Sequence, residues 1–283
     1  MAEPFLADET AGTYTFGGDR AVRRLGFGAM RLTGPEIWGP PEDREAAKAV
    51  LRRAVELGMN LIDTADSYGP GTNEELIAEA LHPYPDDLVI ATKGGIECTG
   101  PGEWSRNGRP EHLAAACEGS LRRLRLDVID LYQLHAPDPE VPFEESVGAL
   151  ADLRDAGKIR HIGVSNVSLE QLRSAQKLAA IVSVQNRYNV GYREFDDVLD
   201  VCAEEGIGFI PWFPLGAGAL PYPPALDIGF RLDATREQVL LAWLLHRADV
   251  VLPIPGTTSI AHLEENVAAA SLKLSADDID ALT

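Results

Sequence analysis

Short apolar runs alternate with longer amphipathic stretches along the whole chain. We count eight such pairs, and no linker, low-complexity tract or change of composition separates them. Two parallel strands cannot be joined by a tight turn and need a crossover between them, usually a helix. Eight strand–helix repeats in 283 residues therefore predict an α/β fold, a closed parallel (β/α)8 TIM barrel that forms one domain of residues 1–283.

The period of the apolar residues predicts where the elements lie. Strands are predicted at residues 25–28, 61–63, 88–92, 128–133, 161–164, 182–185, 208–211 and 250–254. Helices are predicted at residues 43–57, 73–81, 110–124, 143–156, 168–178, 194–204, 235–246 and 260–269. Residues 13–17 and 21–25 flank Gly18-Asp19 and predict an N-terminal β-hairpin that closes the barrel floor, and residues 275–282 predict a short C-terminal helix.

The charge balance restricts the class of partner. A formal net charge of −19 opposes binding to nucleic acid or to an anionic membrane and favours a small-molecule ligand. Cys98, Cys117 and Cys202 are far apart, so neither a disulfide framework nor a zinc site is predicted. The acidic N-terminus lacks the pattern of a secretory signal, so we expect a cytoplasmic protein. The sequence leaves open whether it is a monomer or a small homo-oligomer.

Polar residues that can do chemistry follow the C-terminal ends of several predicted strands, where barrels of this kind carry their active sites. Asp63 ends the second strand, Tyr68 follows in the next loop, and Lys93 and His135 follow the third and fourth strands. A lysine beside a tyrosine lowers the phenol pKa, a carboxylate fixes the lysine, and a neutral histidine can orient a carbonyl. This tetrad predicts, without a metal, protonation of the alkoxide that forms when hydride attacks an aldehyde or ketone.

The hydride donor for such a reaction is a nicotinamide, whose phosphates need a binding site. Residues 26–30 read Gly-Phe-Gly-Ala-Met and lack the third glycine of a Rossmann fingerprint. Residues 255–259 instead open the eighth predicted helix with free amides and hydroxyls, as phosphate sites of barrels do. Trp212 is predicted to stack on the nicotinamide ring. Ser165, Asn166 and Gln185 are predicted to hold the carboxamide group of the nicotinamide.

These residues give nearly the whole chain a resemblance to the aldo-keto reductase family. The family has Asp-x-x-x-x-Tyr after strand two, Lys after strand three and His after strand four, which match Asp63, Tyr68, Lys93 and His135. Its nicotinamide contacts match residues 163–166 and 185–189. Residues 24–32 and 252–266 resemble more narrowly the bacterial branch that contains pyridoxal reductases.

The resemblance implies NADPH-dependent reduction of an aldehyde or ketone to an alcohol, with Tyr68 as general acid and pyridoxal as a candidate substrate. Gly256 and His262 stand where many members have Lys or Arg near the adenosine 2′-phosphate, so NADH is an alternative cofactor. The implied cofactor contacts are Gly28, Ala29, Met30, Asp63, Ser165, Asn166, Gln185, Trp212, Phe213, Pro214, Leu215, Gly216, Gly218, Gly256, Thr257, Thr258, His262, Glu265 and Asn266.

Two other functions stay open at this point. One is a nicotinamide-binding regulatory subunit with little turnover, which an intact tetrad does not exclude. The other is a metal-dependent barrel hydrolase, which is disfavoured because the histidines show no H-x-H or H-x-x-x-H ligand spacing. Substrate specificity is expected from loops 96–109 and 214–231. Trp104, Phe213 and Tyr222, which lie in or directly beside these loops, are either substrate walls or packing residues.

Overall fold

Strands and helices alternate through the residues that the computed structural model describes, 11–216 and 222–283. The strands are β1 (Thr13–Phe16), β2 (Arg20–Arg23), β3 (Phe27–Gly28), β4 (Leu61–Asp63), β5 (Val89–Gly94), β6 (Ile96–Gly100), β7 (Glu103–Arg106), β8 (Ile129–Leu134), β9 (Ile159–Ser165), β10 (Ile181–Gln185) and β11 (Gly208–Phe209). The helices are α1 (Arg44–Glu56), α2 (Thr72–Leu81), α3 (Pro110–Leu124), α4 (Phe143–Asp155), α5 (Leu169–Gln176), α6 (Asp196–Glu205), α7 (Pro223–Leu232), α8 (Arg236–Arg247), α9 (Ile260–Ala268) and α10 (Ala276–Leu282).

The barrel wall is a parallel seven-stranded sheet with the order β3-β4-β5-β8-β9-β10-β11. Its two edges are joined by the extended segment 250–254. On one side β11 exchanges two backbone hydrogen bonds of 2.8 Å with this segment, and on the other the Gly26 N–H donates to the Pro253 carbonyl at 3.0 Å. The segment takes the place of the eighth strand, and this closure confirms the predicted (β/α)8 class.

The prediction of a full eighth strand at residues 250–254 is wrong in one respect. This segment contributes only a single bridge, between Phe209 and Val251. Pro253 and Pro255 have no N–H with which to continue a ladder, so regular pairing stops there.

Two glycines allow the seam of the barrel to close tightly. A Cβ added at Gly28 would lie 2.6 Å from the carbonyl oxygen of Ile254, and one at Gly256 would lie 2.4 Å from the carbonyl oxygen of Gly28. No side chain fits at either distance without a shift of the backbone. The loop after the eighth segment is therefore held directly against the end of β3.

The N-terminal hairpin closes the floor of the barrel, as predicted. β1 and β2 pair antiparallel, and Phe16 and Val22 are buried among apolar side chains of the strands, including Leu61 and Leu131. A Cβ at Gly208 would lie 2.9 Å from the Phe16 ring, so the hairpin reaches the start of β11. The predicted short C-terminal helix is α10.

Two segments predicted as loops are structured. Within residues 96–109, β6 and β7 form an antiparallel hairpin. Within residues 214–231, α7 begins at a pair of prolines, which interrupt a helix interior but are tolerated in its first turn. α7 buries Ala225 and Ile228, so tertiary packing stabilises a helix that the proline-rich sequence does not suggest.

Candidate active site

The centre of the site is a buried ion pair between two neighbouring strands. Asp63 ends β4 and Lys93 lies in β5, and their side chains are 5% and 0% exposed. The Lys93 Nζ donates to the Asp63 Oδ1 at 2.6 Å and to the Thr64 carbonyl at 2.9 Å. Because a buried charge is costly unless it is paired, the Asp63 carboxylate offsets the cost of burying the Lys93 ammonium.

The second carboxylate oxygen of Asp63 is also occupied. Gln185, at the end of β10, donates its Nε2 proton to Asp63 Oδ2 at 2.8 Å, and the Nε2 of Gln133 lies 3.4 Å from the same oxygen. Amides from two further strands therefore fix the orientation of the carboxylate. With Asp63 held in this way, the position of the Lys93 ammonium is set by four strands of the barrel.

Tyr68 and His135 complete the group that the sequence predicts. The Lys93 Nζ lies 5.3 Å from the centroid of the Tyr68 ring. The rings of Tyr68 and His135 meet edge to face, with their centroids 5.8 Å apart and an interplanar angle of 81°. Ser67 Oγ lies 3.5 Å from His135 Nδ1. The structure thus brings all four residues of the predicted tetrad into contact at one end of the barrel.

The environment sets the protonation of these groups. Burial raises the pKa of Tyr68 above its ordinary value, and the Lys93 charge offsets only part of that rise. Lys93 thus lowers the phenol pKa as the sequence predicts, but burial, which the sequence analysis did not consider, outweighs it. Burial alone would lower the pKa of Lys93, but Asp63 and Tyr68 outweigh it and the net direction is upward. Burial and the Lys93 charge hold the pKa of His135 well below its ordinary value, so its ring is neutral.

A cavity opens beside the tetrad at the mouth of the barrel. Asp63, Tyr68 and Gln185 line it, together with residues that follow the first, seventh and eighth barrel segments: Gly28, Met30, Arg31, Trp212, Phe213, Pro214, Leu215, Ile254, Pro255 and Gly256. The lining joins an apolar wall to the ionisable groups, which is the usual composition of a small-molecule site.

A chain of hydrogen bonds supports the wall formed by Trp212. The indole Nε1 donates to Asn166 Oδ1 at 3.0 Å, and Asn166 Nδ2 donates to the His135 carbonyl at 3.0 Å. Asn166 adopts φ 59°, a left-handed conformation that asparagine tolerates better than most residues. The Ser165 Oγ donates to the Gln185 carbonyl at 2.7 Å. Ser165 and Asn166 thus lie behind the cavity and orient residues that line it.

A second cavity adjoins the first and shares Arg31, Leu215 and Gly256 with it. Its lining includes the turn and first residues of α9, and its members are Arg31, Leu215, Glu237, Gly256, Thr257, Thr258, His262, Glu265 and Asn266. Ser259 caps α9 by accepting a hydrogen bond from the His262 N–H at 3.4 Å. Hydroxyls and backbone amides at a helix N-terminus suit a phosphate group.

Several predicted site residues do not line either cavity. Ala29 is fully buried under the end of β3, and the Gly216 N–H closes a turn onto the Phe213 carbonyl at 3.1 Å. Trp104 lies on β7 with 40% of its surface exposed, and Tyr222 donates its hydroxyl proton to the Leu282 carbonyl at 3.3 Å. Tyr222 therefore packs against the C-terminal helix. Gly218 lies outside the described residues.

Three cavity residues escaped the sequence analysis: Arg31, Glu237 and Ile254. Arg31 directly follows Met30, a predicted cofactor contact. Its positive charge just after the first strand could have indicated a contact with an anionic group of the cofactor. Ile254 ends the eighth segment, and the C-terminal ends of barrel strands are where such folds carry their active sites. Glu237 lies in the first turn of α8, and nothing in its local sequence distinguishes it from a solvated helix residue.

The described residues contain neither a metal-binding cluster nor a membrane-spanning helix. No cluster of three or more His, Cys, Asp or Glu side chains there could hold a metal ion. Nor does any helix within the described ranges have the length and apolar character needed to traverse a bilayer.

A parallel barrel with these four side chains at the ends of its strands defines a class of oxidoreductases. The chain belongs to the aldo/keto reductase family, whose sequence model matches residues 24–283. It is 47% identical to an uncharacterized oxidoreductase of Schizosaccharomyces pombe, over 92% of this chain and 85% of that protein. It is 44% identical to the pyridoxine 4-dehydrogenase of Escherichia coli, over 96% of this chain and 98% of that protein.

A solved structure shows the same fold with a nicotinamide cofactor. The aldo/keto reductase from Klebsiella pneumoniae in complex with NADP and acetate matches with a TM-score of 0.80 and 29% identity, over 95% of this chain and 93% of that chain. These similarities confirm the predicted family, the barrel and NAD(P)H-dependent carbonyl reduction as the class of function. They give no support to the alternative of a regulatory subunit with little turnover.

Proposed function

We propose that this enzyme reduces an aromatic aldehyde of the pyridoxal type with NADPH, and that Asp63, Tyr68, Lys93 and His135 are its catalytic residues. The observation that carries the proposal is the buried Lys93 ammonium, which lies between the Asp63 carboxylate and the Tyr68 ring next to a neutral His135. The name of the Escherichia coli relative, pyridoxine 4-dehydrogenase, supports the substrate class.

Each tetrad residue has a separate task in this proposal. Tyr68 donates its phenolic proton to the oxygen of the substrate as the carbonyl becomes an alcohol. Lys93 stabilises the phenolate that remains, and Asp63 holds Lys93 in place. The neutral His135 ring donates a hydrogen bond to the carbonyl oxygen and aligns it with Tyr68. When bound, the reduced nicotinamide supplies the hydride.

The two adjoining cavities fit the two halves of the cofactor. Trp212 and Gln185 in the first would contact the nicotinamide, and the Gln185 amide is oriented by its 2.8 Å hydrogen bond to Asp63, which lines the same cavity. Thr257 and Thr258 in the second would hold the adenosine phosphate, with the shared Arg31 between the two halves. The hydroxyls, the helix N-terminus and the guanidinium favour NADPH, and the nearby Glu265 carboxylate leaves NADH as a weaker alternative.

The wider predictions form part of the same proposal. We propose one catalytic domain of residues 1–283, since the family model spans all but the first residues of the chain. The free, buried cysteines Cys98, Cys117 and Cys202 favour the reducing cytoplasm. The partner is a small carbonyl substrate, and the protein acts as a monomer or a small homo-oligomer.

The substrate class is tested by a panel of carbonyl compounds. Oxidation of NADPH and of NADH is followed over a range of concentrations of pyridoxal, benzaldehyde and a sugar-derived aldehyde, and over a range of cofactor concentrations. We expect the highest kcat/KM for pyridoxal, the aldehyde that corresponds to the alcohol named for the Escherichia coli relative, and a lower KM for NADPH than for NADH. Equal kcat/KM for pyridoxal and benzaldehyde would refute the substrate assignment, and a lower KM for NADH would refute the cofactor preference.

A further inference from the structure

The first turn of α2 contains two consecutive polar residues that are completely buried. Asn73 and Glu74 are both 0% exposed. Neither residue belongs to the tetrad or lines the two cavities at the barrel mouth. A buried amide and a buried carboxylate are costly to keep unless their hydrogen bonds are made, so the partners of these two side chains indicate what they do.

Asn73 joins the end of β4 to the turn after β3. The Thr64 Oγ1 donates to Asn73 Oδ1 at 2.7 Å. The Asn73 Nδ2 donates in turn to the carbonyls of Ala29 at 2.9 Å and of Leu32 at 3.1 Å. One side chain therefore connects the residue after Asp63 to the turn that includes Met30 and Arg31.

Glu74 joins β5 to the neighbouring helix α3. The Thr92 Oγ1 donates to Glu74 Oε1 at 2.6 Å, and the Arg123 Nε donates to Glu74 Oε2 at 2.7 Å. Two glycines leave room for the arginine: a Cβ added at Gly71 would lie 2.7 Å from Arg123 Cδ, and one at Gly119 would lie 2.8 Å from Arg123 Nη1. The carboxylate is thus fully satisfied, and it fixes Thr92 to α2.

The two threonines that donate these hydrogen bonds are the chain neighbours of the buried ion pair. Thr64 follows Asp63 and Thr92 precedes Lys93. Successive side chains of an extended strand point to opposite faces, so Thr92 faces the helices while Lys93 faces the barrel interior. Fixing Thr92 to the helix layer therefore limits how far the Lys93 side chain can shift relative to Tyr68. Tyr68 itself lies in the loop that leads into α2.

We propose that Asn73 and Glu74 are positioning residues for the reaction: through Thr64 and Thr92 they hold Asp63 and Lys93 in register with the loop that carries Tyr68. This inference rests on the proposed function. It assigns to the start of α2 the task of keeping the proton donor and its ammonium partner at one fixed separation, because a small misplacement of reacting groups has a large effect on rate.

Thr92→Val tests the inference because it removes the hydroxyl and keeps the shape of the side chain. Glu74 stays paired with Arg123 in this variant. We expect kcat for carbonyl reduction to fall about tenfold while the dissociation constant of NADPH, measured by fluorescence titration, stays within about twofold. Thr92→Ser restores the hydroxyl and should recover most of the rate. Thr64→Val provides the same test at β4 if Thr92→Val does not fold.

Tyr84→Phe is the matched control, since it also removes one hydroxyl hydrogen bond, from Tyr84 to the Leu124 carbonyl at 2.7 Å. Tyr84 lies in the loop before β5, at the opposite end of that strand from Lys93. It should leave kcat unchanged. An unchanged kcat in Thr92→Val, or a loss equal to that of Tyr84→Phe, overturns the positioning role. If the wild-type enzyme reduces no carbonyl at all, the proposed function itself fails, and this outcome is distinct from a failure of the positioning role alone.

Discussion

Tyr68→Phe is expected to lower kcat for carbonyl reduction by about 10²–10⁴-fold, the usual contribution of a positioned general acid. The substitution removes only the hydroxyl and leaves the ring in contact with His135. The Tyr68 hydroxyl is hydrogen-bonded to Lys93, and Lys93 keeps its bonds to Asp63 and to the Thr64 carbonyl in the variant. The dissociation constant of NADPH should therefore stay within about twofold of the wild-type value. Steady-state kinetics and a fluorescence titration of the cofactor measure the two quantities separately.

The pH dependence gives an independent control for the role of Tyr68. Burial raises the pKa of this phenol, so it stays protonated through the neutral range. Reduction by the wild-type enzyme should therefore fall only at pH values above about 10, the ordinary phenol pKa. The residual rate of Tyr68→Phe should lack this alkaline decline. A variant that keeps more than about a tenth of the wild-type kcat would show that another group donates the proton.

Lys93→Met should damage both activity and stability. The substitution leaves the Asp63 carboxylate buried with only the amides of Gln185 and Gln133 as partners. Removal of one partner of a buried ion pair typically lowers the free energy of unfolding by about 3–5 kcal/mol. The phenolate of Tyr68 also loses its nearest positive charge, so kcat should fall by about 10²-fold or more. Urea denaturation and steady-state kinetics measure the two effects.

The sign of the pH effect on stability follows from the raised pKa of Lys93. A group whose pKa is higher in the folded state stabilises it fully below its unfolded pKa, about 10.4 for lysine. The stability difference between wild type and Lys93→Met should therefore be constant at neutral pH and shrink as the pH rises through the folded pKa. Lys158→Met is the control, because it breaks a half-exposed pair with Glu118 and should change the free energy of unfolding by about 0–1 kcal/mol. Equal effects of the two variants would contradict the account of the buried pair.

The sequence predicts those parts of the site that lie at the C-terminal ends of the barrel strands, where folds of this class carry their active sites. Asp63, Lys93 and His135 follow strands whose apolar runs are unambiguous, and parallel strands place their C-terminal ends on one face. Their meeting with Tyr68 at one point is a consequence of that topology. The second cavity could also be predicted from the sequence, since Thr257 and Thr258 precede a helix directly after the eighth segment.

What escaped prediction depends on tertiary contacts. The helix α7 is stabilised because Ala225 and Ile228 are buried in the hydrophobic core, although the proline-rich sequence indicates a loop. The direction of the Tyr68 pKa depends on how deeply the ring is buried, which no spacing of residues reveals. The sequence predicts a helix over residues 73–81 but no role for Glu74, whose bonds to Thr92 and Arg123 join residues distant along the chain.

The central claim is that the enzyme directs a hydride from NADPH to a carbonyl carbon while Tyr68 donates a proton to the carbonyl oxygen. The most direct test uses NADPH deuterated at the transferable position of the nicotinamide, with pyridoxal as substrate and mass spectrometry of the product. The account predicts an alcohol with one deuterium at the former carbonyl carbon, formed in equal amount to the oxidised cofactor, and almost none with Tyr68→Phe. Cofactor oxidation without labelled alcohol, or full labelling by the variant, would contradict it.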